Sequence, residues 1–159
     1  MADTTEFMRR AIEISRREML ESGAAPFAAV IVKNGAIVGE GVNRVASRCD
    51  ATAHGEVEAI RDAGRRLGSW DLSGCDLYTT CEPCEMCVAA MVWARVDRLY
   101  YANTLADCEA IGFDLAPLRA AVRADLPDRA MPATRLLAEE ARAVLDLWTR
   151  QPGFTVFKG

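Results

Sequence analysis

The spacing of apolar residues predicts a helix near the start of the chain, followed by two strands. The helix is expected over about residues 5–20, capped by Asp3, because apolar residues recur on one face: Phe7, Met8, Ala11, Ile12 and Ile14. Two short apolar runs at residues 27–32 and 36–41 flank Asn34-Gly35, a pair that favours a tight hairpin turn. The chain is therefore expected to begin with a helix and a β-hairpin.

Helix and strand patterns alternate in the middle of the chain. Helices are predicted over about residues 53–67 and 84–95, and strands over about residues 76–80 and 98–102. Prolines then interrupt the pattern until an amphipathic segment at residues 136–149, which favours a final helix. A hairpin followed by alternating helices and strands predicts an α/β domain in which helices cover both faces of a mixed sheet.

The composition is that of one folded domain over residues 1–159. The chain is 51% apolar, and its longest apolar run, residues 24–32, is much shorter than the ~18 residues that suggest a membrane span. No apolar stretch of a secretory signal follows the N-terminal charges, so the six cysteines are expected in the reducing cytoplasm. The net charge of −4 gives no electrostatic support to nucleic-acid binding.

Four residues in two short motifs carry the candidate chemistry. His54 and Glu56 lie at the start of the second predicted helix, and Cys84 and Cys87 lie at the start of the third. Two cysteines three residues apart in a first helical turn direct their sulfur atoms to the same side, where the helix N-terminus favours thiolates. With the histidine they predict a three-ligand zinc site that leaves a fourth position for water, as catalytic zinc sites do. Glu56 would then take a proton from that water without binding the metal.

Other interpretations of the cysteines stay open at this point. Cys81 would complete a closed structural zinc site with the same three ligands, although Glu56 would then have no role. The C-x-x-C-x-x-C run also resembles part of an iron–sulfur motif, but no further cysteine follows closely. Cys49, Cys75 and Cys108 are interpreted as small apolar core residues.

Several segments between residues 7 and 114 carry a family resemblance, and they include residues 52–61, 79–87, 93–95 and 112–114. They resemble the cytidine-deaminase-like superfamily of zinc hydrolases, and within it the bacterial guanine deaminases. The Trp-Ala-Arg and Gly-Phe-Asp segments favour the guanine branch. The resemblance implies a three-layer α/β/α sandwich around a mixed five-stranded sheet.

Position by position, the resemblance implies one zinc ion per chain, held by His54, Cys84 and Cys87, with Glu56 as the proton shuttle. The implied reaction is the hydrolytic deamination of a free nucleobase or related aminoheterocycle, with guanine giving xanthine and ammonia. Alternatives within the superfamily are deamination of tRNA adenosine, of cytosine or of a nucleoside. The alternative outside it is a zinc-stabilised binding domain without catalysis.

The resemblance also implies the contacts with the substrate. Asn43 would hydrogen-bond the edge of the base, the Gly55 N–H would touch the base, and Phe27 and Trp93 would line or stack on its ring. From the residues alone, Asn43 is equally a turn residue, and the two aromatic residues are equally core residues. Alanine is common at the position of Gly55, so the glycine is expected to widen the pocket wall.

Two departures concern the end of the resemblance. The guanine branch usually has Gly-Phe-Asp-Asp, whereas this chain has Leu115 at the second aspartate. We therefore expect either a substrate that needs no second acid or a substitute acid, with Asp114 ahead of Glu109 in that role. Members of the family usually form homodimers, often with a swapped C-terminal segment whose aromatic residue closes the partner's site. Here the segment from about residue 115 is expected to swap, with Phe157 in that role.

Overall fold

A computed structural model describes residues 4–156, which form two compact units divided after Leu118. None of the helices in this part of the chain is long and apolar enough to cross a membrane. The elements of the first unit are α1 (Thr4–Ser22), β1 (Ala28–Lys33), β2 (Ala36–Val42), α2 (Val45–Arg48), α3 (Gly55–Leu67), β3 (Cys75–Cys81), α4 (Glu85–Trp93), β4 (Arg98–Asn103) and α5 (Leu105–Ala110).

Four strands form one mixed sheet in the order β2-β1-β3-β4. Strand β1 pairs antiparallel with β2 and with β3, whereas β3 pairs parallel with β4. Asn34 and Gly35 join β1 to β2 with φ values of 51° and 77°, so the predicted hairpin turn is confirmed. The parallel strands β3 and β4 are connected through α4, because a parallel pair needs a crossover rather than a hairpin.

Helices cover both faces of the sheet and build two apolar cores. Ala11 of α1 packs with Val30 of β1 in one core. Ala59 of α3 and Met91 of α4 pack with Ile31 of β1 in the other core. Because successive strand residues point to opposite faces, β1 is buried on both sides, which explains its continuous apolar run. The predicted layering of helices on both faces is confirmed.

Glycines in β2 bring α3 directly onto the strand. A Cβ atom at Gly39 would lie 2.6 Å from the carbonyl oxygen of Ala59 in α3, and one at Gly41 would overlap the carbonyl oxygen of Gly55 and the amide nitrogen of Ala59. No side chain fits between the two backbones at these positions. The start of α3 is therefore held against the sheet by backbone contact, which fixes the position of the residues that precede the helix.

The number of strands in the sheet and the structure of the segment before α3 differ from those predicted. The five-stranded sheet is not confirmed, because residues 4–156 form four strands. After β4 the chain turns into α5, and the prolines at 117, 127 and 132 follow, which disfavours another strand. The short helix α2 lies in a segment for which neither a helix nor a strand is predicted. Phe157 lies outside the residues that the structure describes.

The second unit follows from Arg119, inside α6 (Ala116–Arg123), and contains α7 (Ala138–Trp148). The predicted final helix is thus confirmed. Neither α6 nor α7 has a buried residue. Apolar side chains of α7 are solvent-exposed, with Val144 at 64% and Leu147 at 57% of their full accessible surface. Among the described residues, α7 therefore has apolar side chains exposed to solvent.

Candidate active site

The candidate metal ligands lie where two helices begin. His54 is the N-cap of α3 and Cys84 is the N-cap of α4, and both have an extended backbone, with φ near −70°. An N-cap side chain usually accepts a hydrogen bond from its own helix, but neither of these two does so. The two side chains are therefore free to face each other, and Cys87, in the first turn of α4, completes the group.

Distances within this group fit a tetrahedral zinc ion. His54 Nδ1 lies 3.7 Å from Cys84 Sγ and 3.5 Å from Cys87 Sγ, and the two sulfur atoms are 3.7 Å apart. Zinc bonds of ~2.3 Å to sulfur and ~2.0 Å to nitrogen place tetrahedral ligands about 3.8 Å apart for two sulfurs and about 3.5 Å apart for sulfur and nitrogen. Within residues 4–156, His54, Cys84 and Cys87 form the one cluster of this kind, and Cys81 is outside it.

The electrostatics of the three ligands favour a cation between them. Hydrogen bonding with Cys87, and to a smaller extent with His54, lowers the pKa of Cys84 to about 4. The hydrogen bond between Cys84 and His54 also raises the pKa of His54. Cys84 is therefore a thiolate at neutral pH, the form that zinc binds, at a helix N-terminus that stabilises negative charge.

Glu56 lies beside the ligand group without belonging to it. Its Oε2 is 3.5 Å from Cys87 Sγ and its Oε1 is 3.4 Å from Thr79 Oγ1. Only 6% of the residue is exposed, and burial raises the pKa of its carboxyl group, because the charged form loses solvation. A carboxyl group with a raised pKa takes up and releases protons closer to neutral pH than an exposed glutamate does.

A cavity of about 590 Å³ lies in front of the ligand group. Its lining combines polar residues beside the metal ligands with apolar side chains from the segment before β1, from α2, from α5 and from the segment after α5. The residues that line it include Phe27, Asn43, Glu56, Cys81, Cys108, Phe113 and Leu115. No lysine or arginine of the described chain lines the cavity.

Two of the four predicted substrate contacts line this cavity. The ring of Phe27 packs against that of Phe113, with centroids 5.7 Å apart. Asn43 accepts a hydrogen bond from the Val45 N–H through its side-chain oxygen, at 3.2 Å. This turn fixes the Asn43 side chain and leaves its amide N–H groups as donors. Sequence reasoning missed the role of Phe113 as the aromatic partner of Phe27, since their contact depends on the fold.

Gly55 is buried. The expectation that a glycine in place of alanine widens the pocket wall is not met. A Cβ atom on residue 55 would lie 2.8 Å from the Phe27 carbonyl oxygen and 2.9 Å from the Ala28 Cα atom. The missing side chain thus points to the backbone of β1 rather than into the cavity. The glycine allows close packing of α3 on β1 directly beside His54 and Glu56.

Trp93 and Asp114 do not line the cavity. Trp93 ends α4 and is 62% exposed. The Asp114 carboxylate accepts a hydrogen bond from the Ala116 N–H at 2.8 Å, at the start of α6. Phe113 and Leu115, the neighbours of Asp114, both line the cavity, so the position at which the resemblance implies a second aspartate carries an apolar side chain in the cavity wall.

The other cysteines lie outside the candidate zinc site. Cys81 Sγ is 3.0 Å from Cys108 Sγ, and both residues line the cavity. The closed zinc site that includes Cys81 therefore does not form. Cys75 is a core residue, as predicted, whereas Cys49 is exposed, so its interpretation as a core residue is wrong.

A family described as the cytidine and deoxycytidylate deaminase zinc-binding region matches residues 1–103. The chain belongs to this family of zinc-binding deaminases. A guanine deaminase from Bacillus subtilis (strain 168) is 38% identical to it over 142 residues, which cover 89% of this chain and 91% of that protein. A crystal structure of guanine deaminase from Bacillus subtilis has a TM-score of 0.92 at 35% identity, with 98% of this chain and 99% of that chain covered.

Another relative shows the breadth of the family. A tRNA-specific adenosine deaminase from Agrobacterium fabrum is 44% identical over 101 residues, which cover 64% of this chain and 66% of that protein. The similarity thus extends to a protein named as a tRNA deaminase. The match to the guanine deaminases extends over more of the chain and includes the segments after β4.

Proposed function

We propose that this chain catalyses the hydrolytic deamination of guanine to xanthine and ammonia. Glu56 is the observation that carries the proposal: a buried carboxyl group 3.5 Å from Cys87 Sγ, yet outside the cluster of ligands. A structural zinc site needs no such group, because its ligands alone hold the fold. A hydrolytic site needs one, because protons must move from the attacking water to the leaving group.

The roles follow from this placement. Zinc held by His54, Cys84 and Cys87 would supply a Lewis acid that activates water near neutral pH. A carboxylate oxygen of Glu56 accepts the first proton of the attacking water and delivers it to the ring nitrogen beside the attacked carbon. The same carboxyl group then delivers the second proton to the amine, which leaves as ammonia. The Thr79 hydroxyl, 3.4 Å from Oε1, holds the carboxyl group in position.

The cavity favours a free base over a nucleotide. Its lining in the described chain contains no lysine or arginine, so no side chain there would pair with a phosphate. Phe27 and Phe113 supply an aromatic wall for a planar ring, and the amide of Asn43 offers a donor to an oxygen on the ring. The Gly55 N–H is proposed to contact the base at the start of α3.

Deamination of tRNA adenosine is the second candidate, favoured by the 44% identity to the Agrobacterium enzyme. An enzyme of that kind must hold phosphates next to the flipped base. The lack of lysine and arginine in the described lining of the cavity and the net charge of −4 both disfavour such a substrate. Guanine is therefore favoured over tRNA as the substrate.

We also propose a homodimer in the reducing cytoplasm. Exposed apolar residues on α4 (Val88, Val92 and Trp93) and on α7 offer surfaces for a second copy, and exchange of the segment from about residue 115 would cover α7. All six cysteines are free thiols, as is usual in a reducing compartment.

Asp114 would need to leave its hydrogen bond with Ala116 to act as the second acid, so Glu56 is proposed to carry both proton transfers.

An ammonia-release assay tests the proposal directly. Zinc-loaded protein is supplied in parallel with guanine, adenine, cytosine, their nucleosides and a tRNA that carries adenosine at the wobble position. We expect guanine to have the highest kcat/KM, with xanthine as the second product, and tRNA to release no ammonia above the blank. Ammonia from tRNA but not from guanine would overturn the assignment in favour of the second candidate. No ammonia from any substrate, with zinc stoichiometric, would favour a binding domain.

A further inference from the structure

Two thiols that the proposed reaction does not use meet in the wall of the cavity. Cys81 is the last residue of β3 and Cys108 lies in α5. Their sulfur atoms are 3.0 Å apart, and the residues are only 6% and 4% exposed. A disulfide bond is ~2.0 Å long, so the two sulfur atoms need to approach by about 1 Å to form one.

We propose that Cys81 and Cys108 are a redox-sensitive pair that peroxides convert to an intrachain disulfide. One thiol loses its proton, the thiolate attacks an oxygen of hydrogen peroxide, and the O–O bond breaks to give a sulfenic acid and hydroxide, which takes up that proton and becomes water. The second thiol attacks the sulfenic sulfur, the S–S bond forms, and the hydroxyl group leaves as a second water. In total, the two thiols lose two electrons and two protons, and one peroxide is reduced to two waters.

The other cysteines are not placed for this reaction. Cys84 and Cys87 are the zinc ligands, so their sulfur atoms are engaged in the zinc-loaded protein. Cys75 is fully buried in the core between the sheet and α3, and Cys49 lies on the surface before α3. Cys81 and Cys108 are thus the adjacent pair of thiols that zinc leaves free in residues 4–156, and the cavity gives a small oxidant access to both.

The pair also joins two parts of the cavity wall. The Cys108 carbonyl oxygen accepts a hydrogen bond from the Phe113 N–H at 3.0 Å, and the ring of Phe113 packs on Phe27. A bond from Cys108 to the end of β3 would therefore tie the aromatic wall to the strand that leads to Cys84. Closure of this loop reduces the entropy of the unfolded chain, so the oxidised protein is expected to be more stable.

The rate of oxidation has an expected pH dependence. Burial and the neighbouring Cys108 thiol, with smaller contributions from the carboxyl groups of Glu56 and Glu82, raise the pKa of Cys81 to about 12, so little Cys81 thiolate is present at neutral pH. The thiolate is the form that attacks peroxide. Oxidation is therefore expected to be slow at pH 7 and faster at pH 9.

The test uses zinc-loaded protein treated with hydrogen peroxide, followed by alkylation of the remaining thiols and mass spectrometry. We expect a loss of about 2 Da per chain before alkylation, unchanged zinc content and recovery of the original mass with dithiothreitol. Trypsin releases residues 99–119, whose one cysteine is Cys108, and this peptide should be linked through Cys81 to residues 67–95. The oxidised protein should unfold about 3 °C or more above the reduced protein.

Matched variants make the result specific. Cys108→Ala, or Cys108→Ser if the alanine variant does not fold, should abolish the loss of about 2 Da on peroxide treatment. Cys49→Ala, which changes an exposed cysteine, should still show this loss. A disulfide between Cys84 and Cys87 with loss of zinc would overturn the proposal. So would complete alkylation of both Cys81 and Cys108 after peroxide treatment at pH 9.

Discussion

Replacement of Gly55 by alanine tests whether the start of α3 is held against β1 by backbone contact. The new Cβ atom would lie 2.8 Å from the Phe27 carbonyl oxygen and 2.9 Å from the Ala28 Cα atom. Non-bonded carbon atoms pack at ~3.5–4.0 Å, so the helix and strand must separate by roughly 0.5 Å or more. Overpacking of this kind costs ~1–3 kcal/mol, offset by ~0.4–1 kcal/mol from the lower entropy of the unfolded alanine chain.

The midpoints of these two ranges give an expected net loss of about 1.3 kcal/mol, or a Tm lowered by about 3–5 °C for a domain of this size. The assay is thermal and urea unfolding of both proteins at equal zinc content. Because the Phe27 carbonyl also accepts the Asn43 N–H at 2.9 Å, the shift should raise the KM for guanine as well.

Gly64→Ala is the matched control, because Gly64 lies in the same helix and its added Cβ would have one close neighbour, at 3.3 Å. Alanine gains up to ~1 kcal/mol of helix propensity over glycine, so this variant should be neutral or stabilised. Equal stability of Gly55→Ala and the parent protein would refute the packing argument. The presence of glycine at position 55 would then have to be explained by the space that it leaves in the cavity.

Four further substitutions test the site. Glu56→Gln should keep zinc and fold but lower turnover by ~10²–10⁴-fold, because an amide cannot relay protons; more than a tenth of parental turnover would remove Glu56 from the mechanism. Cys84→Ser should lose zinc while Cys81→Ser keeps one zinc per chain, as measured by elemental analysis after gel filtration; equal losses would support the closed zinc site. Asp114→Asn should change guanine turnover by less than about twofold, since asparagine can also accept the hydrogen bond from Ala116, and a 100-fold loss would establish Asp114 as the second acid.

The metal ligands were predictable from sequence because each half of the site is local. His54 and Glu56 are two residues apart at one helix start, and Cys84 and Cys87 share the first turn of another, so helical geometry sets their relative directions. The predicted elements then bring the two halves to one end of the sheet. This information lies within short stretches of chain, where spacing alone carries it.

Features that depend on contacts between distant segments were not predictable. Cys108 follows Cys81 by 27 residues, and only the placement of α5 against the end of β3 brings their sulfur atoms together. The role of Gly55 likewise depends on the closeness of β1, which no local pattern records. The prolines after residue 115 removed the periodic signal there, so the sequence left the path of that segment open.

The origin of the product oxygen tests the central claim most directly. Zinc-loaded protein is incubated with guanine in water enriched in ¹⁸O, and the product is examined by mass spectrometry. Hydrolytic deamination predicts xanthine about 2 Da heavier than in ordinary water, together with one ammonia per xanthine. Guanine recovered unchanged from protein with stoichiometric zinc would contradict the account, and xanthine without the heavy oxygen would contradict hydrolysis.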